Sequence, residues 1–367
     1  MPYAHITGWG MAAPAGVMTN DDLAKLVDTN DQWIRERTGI RERRIASETE
    51  FTSTLAVEAS IKALKVANVR PTDIDLIICS TSTPEYMFPA TACLIQDQLG
   101  ATKAGAFDLL AACTGFIYAL NMGAQAIRSG SIKTALIIGS ETLSRFVNWK
   151  DRNTCILFGD GAGAFVLQAS ERPGGVLSAV MHSDGSGGDL LTLPAGGSRI
   201  PATESTVHEG LHCIRMDGKE VFRFATRVMA SATLEALDAA GLKTEDVKWI
   251  VPHQANIRII EAAARGLKLP MERFIVNLDR YGNTSTASIP IAMVEAIEKG
   301  QIKEGEKLVM VGFGAGLTWG ALAAEWTGPL PSKGHVHPEQ YRRLGRVRSL
   351  VRRAIRFIEG LLYRREL

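Results

Sequence analysis

The 367 residues are 46% hydrophobic and 22% charged, an ordinary globular composition that excludes a disordered or fibrous chain and can bury a large core without staples. The five cysteines, Cys79, Cys93, Cys113, Cys155 and Cys213, include no CxxC pair. That argues against a disulfide framework or a zinc knuckle and for a reducing, cytoplasmic setting. The net charge of +2 is uneven: residues 331–367 carry +7 and the remaining 330 carry −5. The opening MPYAHITGWG lacks the pattern of a secretory signal, and no run of about 18 apolar residues is present to span a bilayer.

In chain order, an Ala- and Leu-rich segment reads as a helix and leads into the apolar stretch TDIDLII at 72–78. AFDLL is a strand that ends near Cys113, and GFIYALNMGAQAI after it is apolar nearly all round, the mark of a buried helix. Cys113 thus lies at a strand-to-helix junction. Free N–H groups and the helix dipole favour a thiolate there, so a lowered thiol pKa and a nucleophilic role are expected. The competing reading is a buried structural cysteine, the reading adopted for the other four. ALIIG at 135–139 is a strand covered on both faces.

Gly159 to Gly163, GDGAG, does not fit a dinucleotide loop, and with FVLQA following it reads as a tight turn between strands. DGSGGD at 184–189 reads as a loop. His208 to His212, HEGLH, matches a zinc-helix pattern formally, but the central Gly210 and the missing third ligand argue against a metal.

The second half repeats the first. TDIDLII at 72–78 returns as EDVKWIV at 245–251, QAIRSGSIK at 125–133 as EAIEKGQIK at 295–303, and ALIIG as LVMVG at 308–312. The offsets are 173, 170 and 173. The expected fold is a duplicated α/β chain with mostly parallel sheets between helix layers, in halves 1–172 and 173–329. An offset of 170 carries Cys113 onto Asn283, and 173 carries Ser80 onto His253 at the end of the strand KWIVP. Ligands gather beyond the carboxyl ends of such strands. Taken singly, His253 could be a core histidine and Asn283 a turn residue.

The motifs AACTGF, PHQAN, YGNTS and GFGAGLTWG occur in that order, with DQWIRERTGIRERRI and FGDGAGAFVL between residues 3 and 326. Together they resemble the β-ketoacyl-acyl-carrier-protein synthase III family of thiolase-like condensing enzymes. The resemblance implies Cys113 as acyl-accepting nucleophile with His253 and Asn283 as partners. It implies backbone N–H groups of Cys113 and Ala315 as oxyanion donors. Trp33, Arg37 and Arg152 match CoA-gripping positions, and Phe88 matches an acyl-pocket residue reached across a homodimer. Gln254, Ala255, Asn256, Ile257 and Arg258 match the segment that docks the carrier protein, with Arg223 and Arg265 as further basic candidates. The implied reaction joins a short acyl-CoA, such as acetyl-CoA, to malonyl-acyl-carrier protein with loss of carbon dioxide, without metal or organic cofactor. The alternatives are a related enzyme for longer or polyketide-type chains and a catalytically silent module that binds partners or membrane.

The tail departs from the family pattern. PLPSKGHVHP reads as a linker within 330–367, and after Pro338 apolar residues recur at Leu344, Val347, Val351, Ile355, Ile358 and Leu362. These spacings draw one stripe on a helix over 338–366, with arginines on its other faces. Its expected partner is a membrane surface or an acidic protein rather than its own dimer. Sparse aromatics argue against nucleic acid.

Overall fold

A computed structural model describes residues 1–331 and 335–363, with side chains described as far as Gly360. Two sheets hold the chain together. The first runs in the order Tyr3–Ala12, Asp160–Ser170, Thr134–Thr142, Leu76–Ser80, Gly105–Leu109. The second runs Trp249–Pro252, Lys307–Gly314, Thr318–Glu325, Gly175–Ser183. The first therefore draws on residues 3–170 and the second on 175–325.

The repeat survives as register. Leu76 lies opposite Ala135 in one parallel pair, and Trp249 lies opposite Leu308 in the other, each 173 residues on. The outer strand Gly105–Leu109 has only a single parallel bridge, Ile250 to Phe274, as its counterpart. The sheets are mixed, which corrects the expectation of mostly parallel ones. Asp160–Ser170 runs antiparallel to both its neighbours, and Thr318–Glu325 to both of its own. For Thr318–Glu325 the cause is local: a tight connection returns the chain from Lys307–Gly314, too short for the crossover that parallel neighbours need.

GDGAG is not a turn. Asp160 opens an eleven-residue strand in which Gly161 and Gly163 are buried. A Cβ on Gly163 would lie 2.5 Å from the Pro290 side chain, and one on Gly139 would lie 2.6 Å from the Thr286 carbonyl oxygen. Glycine in these central strands lets the helix layer of one half reach the sheet of the other. The helices Gly115–Arg128 and Ser288–Glu298 fill that layer and are largely buried.

Within HEGLH, the short helix Glu204–His208 stops before Gly210, which has φ +63°. His208 and His212 share no helix face, and His212 Nε2 pairs with Thr206 Oγ1 at 2.9 Å. A helix does form at Pro338–Tyr363, and its expected stripe is described except for Leu362. Residues 364–366 of the expected span also lie outside the described residues.

Replacing Gly139 by Val should destabilise the protein by several kcal/mol, because backbone rather than a flexible side chain blocks the added atoms. Urea unfolding of Gly139→Val against Gly197→Val, a position with open space around it and no left-handed backbone, measures the difference.

Candidate active site

Cys113 occupies a single 3₁₀ turn, Ala112–Thr114, between the strand Gly105–Leu109 and the helix Gly115–Arg128. The turn is strained: Ala112 has φ +46°, costly for a residue with a Cβ. Ser285 repeats the conformation with φ +48° exactly 173 residues later, at the start of the matching turn Ser285–Ala287. Cys113 therefore corresponds to Thr286. Asn283 falls three residues before that position, so the offset of 170 does not hold here.

Asn283 is positioned by its own backbone. Its N–H donates to Leu157 O at 2.8 Å, and its carbonyl accepts from Gly159 N–H at 3.0 Å. Its side-chain oxygen accepts the Ser285 N–H at 2.8 Å, which leaves the amide NH₂ to face the cavity. His253 directly follows the strand Trp249–Pro252, and its N–H donates to Val311 O at 2.8 Å. Its ring packs edge-on against Phe313 and its Nδ1 lies 2.7 Å from Ser288 Oγ. Ser288 stands where the first half has Gly115, and His253 stands where it has Ser80. A Cβ on Gly115 would meet Ser80 Oγ at 2.0 Å, so the first half has no room for the same pair.

Cys113, His253 and Asn283 line one cavity with Phe158, Phe313 and Gly314. Beyond Cys113 a second, mostly apolar cavity continues past Ala315, Ser285, Leu143, Phe146 and Leu193. On the other side, Leu157, Met216, Phe222 and Asn256 are shared with a large outer cavity that reaches Trp33, Arg37, Lys219 and Arg258. The three make a path from the surface to the sulfur and past it. A Cβ on Gly314 would lie 2.7 Å from the Cys113 backbone nitrogen, so the loop GFGAG rests directly on the cysteine turn.

Burial sets the electrostatics. It pushes the Cys113 thiol up to about 12 and the nearby Glu141 carboxylate adds to the rise, while a hydrogen bond from Ser285 opposes it. The expected depression is thus reversed: desolvation outweighs the helix N-terminus. Burial likewise pushes His253 down to about 3, so its imidazole is neutral at physiological pH. Glu141 is fully buried at the end of the strand Thr134–Thr142 and is raised to about 7 by burial. It accepts from Thr83 Oγ1 at 2.6 Å, Thr81 Oγ1 at 3.3 Å and the Ser82 N–H. Sequence reading passed over Glu141, Ser285 and Ser288. Only Glu141 left a signal there, as a lone acid closing the apolar run ALIIGSET.

The outer residues divide. Trp33 meets two guanidinium groups, with Arg37 4.6 Å and Arg152 5.1 Å from its ring centre. Arg152 also donates to Asp28 O at 2.9 Å. Asn256 caps the helix Ile257–Leu267 and donates to Arg37 O at 2.9 Å. In the segment 254–258 only Arg258 is openly exposed, and its guanidinium sits over Phe222. Gln254 is corrected: it is 1% exposed, and its amide is spent on Pro252 O, Ile275 O and the Asn277 N–H. It braces the loop and cannot touch a docking protein. Ala255 lines the inner cavity, and Ile257 packs partly buried against Gly39. Arg223 pairs with Glu220, and Arg265 is exposed. Phe88 is 86% exposed and lines none of the three cavities of its own chain.

A doubled α/β chain with a path leading to a cysteine between its halves defines the thiolase-like condensing class, whose members are acyltransferases. Residues 107–185 match the family model described as 3-oxoacyl-[acyl-carrier-protein] synthase III, and 237–326 match that of its C-terminal part. A β-ketoacyl-[acyl-carrier-protein] synthase III of Roseiflexus sp. strain RS-1 is 52% identical, covering 89% of this chain and 99% of that protein. The crystal structure of 3-oxoacyl-[acyl-carrier-protein] synthase III from Aquifex aeolicus VF5 superposes with a TM-score of 0.81 at 47% identity. It covers 88% of this chain and all of that one. The priming β-ketosynthase of the R1128 polyketide pathway superposes at 0.83 with 37% identity over 89% and 97% of the chains. The chain belongs to the β-ketoacyl-acyl-carrier-protein synthase III family and is a condensing acyltransferase.

Glu141 gives the protein a pH signature. Its carboxyl holds a proton in the folded state that an unfolded chain releases from about pH 4.5, up to about pH 7. Stability from this group is full below that window and falls as pH rises through it, by about 3 kcal/mol at most. Glu141→Gln should flatten the change, as read by urea unfolding at pH 5 and pH 8.

Proposed function

We propose that this chain primes fatty-acid synthesis by condensing a short acyl-CoA with malonyl-acyl-carrier protein in the cytoplasm, acting as a homodimer. The convergence of Cys113, His253 and Asn283 on one buried cavity, with an apolar pocket beyond the sulfur, carries the reading. The halves 1–172 and 173–329, followed by a linker and helix over 330–367, are the units proposed. One sheet within each half supports that division.

In the first step the Cys113 sulfur attacks the thioester carbonyl of acyl-CoA. The carbon–sulfur bond to CoA breaks, CoA leaves as its thiol, and the acyl group stays on the enzyme. Backbone N–H groups of Cys113 and Ala315 stabilise the oxyanion, donors whose preorganisation contributes several kcal/mol. The contact of Gly314 with the Cys113 nitrogen supports this pairing, because it brings the two backbones together. Because the resting thiol is protonated, its proton leaves as the sulfur attacks and ends on the departing CoA thiol.

In the second step malonyl-acyl-carrier protein replaces CoA. His253 and Asn283 donate to its thioester oxygen, and carbon dioxide departs as charge moves onto that oxygen. The enolate carbon then attacks the acyl-Cys113 carbonyl and releases 3-oxoacyl-acyl-carrier protein and the free cysteine. A neutral His253 suits this role, since a donor is needed and a proton transfer is not. Ser288 sets the tautomer: its hydroxyl donates to Nδ1 and leaves the proton on Nε2. No metal or organic cofactor enters this chemistry.

Trp33, Arg37 and Arg152 hold the nucleotide end of CoA, and Arg258, with Arg223 and Arg265, meets the acidic carrier protein. Phe88 reaches the acyl pocket of the partner subunit, which its exposure here supports. Leu143, Phe146 and Leu193 close a pocket suited to a short chain.

With radiolabelled acetyl-CoA, the wild type should trap label and Cys113→Ala should lose it. His253→Ala and Asn283→Ala should keep the label and lose decarboxylation of malonyl-acyl-carrier protein by at least about a hundredfold. Equal labelling of Cys113→Ala would overturn the nucleophile assignment, and a rate ladder over acyl-CoA lengths tests the short-chain preference.

A further inference from the structure

The helix Pro338–Tyr363 does not bury the apolar stripe that its sequence draws. It rests on the body through another face. Gly345 packs against Gly100, where a Cβ on Gly345 would lie 3.0 Å from the Gly100 Cα. Ser349 Oγ donates to Asp97 Oδ2 at 2.8 Å. Residues 341, 345 and 349 are one helix face at spacings of four. At about 100° per residue, Leu344, Val347, Val351, Ile355 and Ile358 lie between about 80° and 160° round the helix from it. All five are exposed, by 48% to 67%, as are Leu350 and Phe357. The tertiary contacts therefore leave the whole apolar arc without cover.

Seven arginines, 342, 343, 346, 348, 352, 353 and 356, stand against Glu339 and Glu359 in the described part of the helix. Arg348 borders the arc on one side, and Arg346 and Arg353 border it on the other, past Leu350 and Phe357. Such an arc bordered by guanidinium groups fits the boundary of an anionic bilayer: the apolar side chains enter the acyl layer and the arginines meet lipid phosphates. Two copies of the helix pairing through this arc would bring like charges together at both edges. No described helix is long and apolar enough to cross a membrane, so the geometry is that of lying on a surface.

We infer that the exposed face of the helix Pro338–Tyr363 binds the surface of an anionic lipid bilayer, with Leu344, Val347, Val351, Ile355 and Ile358 inserted and the flanking arginines on the phosphates. The contact at Gly100 and Asp97 holds the helix to the body, so binding tethers the enzyme itself. The outer cavity and the residues around Cys113 take no part.

The test is flotation of the full-length protein with vesicles of phosphatidylcholine and phosphatidylglycerol in equal parts, and with phosphatidylcholine alone. The wild type should float with the anionic vesicles and about tenfold less with neutral ones. Val351→Glu/Ile355→Glu and Arg348→Glu/Arg353→Glu should each lower recovery about tenfold. Both should keep acetyl-CoA labelling at the wild-type level, which shows an intact fold. Equal flotation of the wild type and both variants, or none with anionic vesicles, would overturn the inference. So would a concentration-dependent rise in mass without lipid that Val351→Glu/Ile355→Glu abolishes, because the arc would then be covered by a second copy.

Discussion

The close approach of the cysteine turn to the loop Phe313–Ala315 governs the rest of this molecule. Backbone meets backbone where Gly314 rests on Cys113, and no side chain fits between. That contact ties the end of a strand in one half to the end of a strand in the other. The strained backbone of Ala112 is held there because the helix that follows, Gly115–Arg128, is largely buried and cannot relax. Gly139 and Gly163 serve the same end further along, letting the helix Ser288–Glu298 seat against the first sheet.

Burial then decides the charge states. Cys113, His253 and Glu141 sit within one desolvated region, and each is shifted toward its neutral form. A neutral histidine is a donor that does not demand a counter-charge, and a protonated thiol is protected from stray electrophiles. Glu141 shows how closely this is set. It is wrapped by Thr81, Ser82, Thr83 and Ser285, enough donors to admit a charge yet not enough to keep one at every pH.

Duplication supplied two equivalent turns, and the two have diverged in what they carry. At the position of Ser80 the second half has His253, and at the position of Gly115 it has Ser288. Where the first half packs a serine against a glycine, the second has a histidine braced by a hydroxyl. The path from Trp33 and Arg37 inward opens on the side where those substitutions lie, and the apolar pocket opens beyond the cysteine.

The sequence by itself determined the α/β duplication, since short continuous apolar runs that alternate with helical segments and recur some 170 residues on read as strands covered on both faces. It also determined Cys113, His253 and Asn283 as the residues to watch, through motif order, and the amphipathic tail helix, through spacing. Strand direction, the burial of Gln254, the raised thiol of Cys113 and the bracing by Ser285 and Ser288 were decided only in three dimensions. Periodicity records which face of an element is apolar. It does not record which neighbour covers that face or how far water is excluded, and these set the charge of Glu141 and the exposure of the stripe from Leu344 to Ile358.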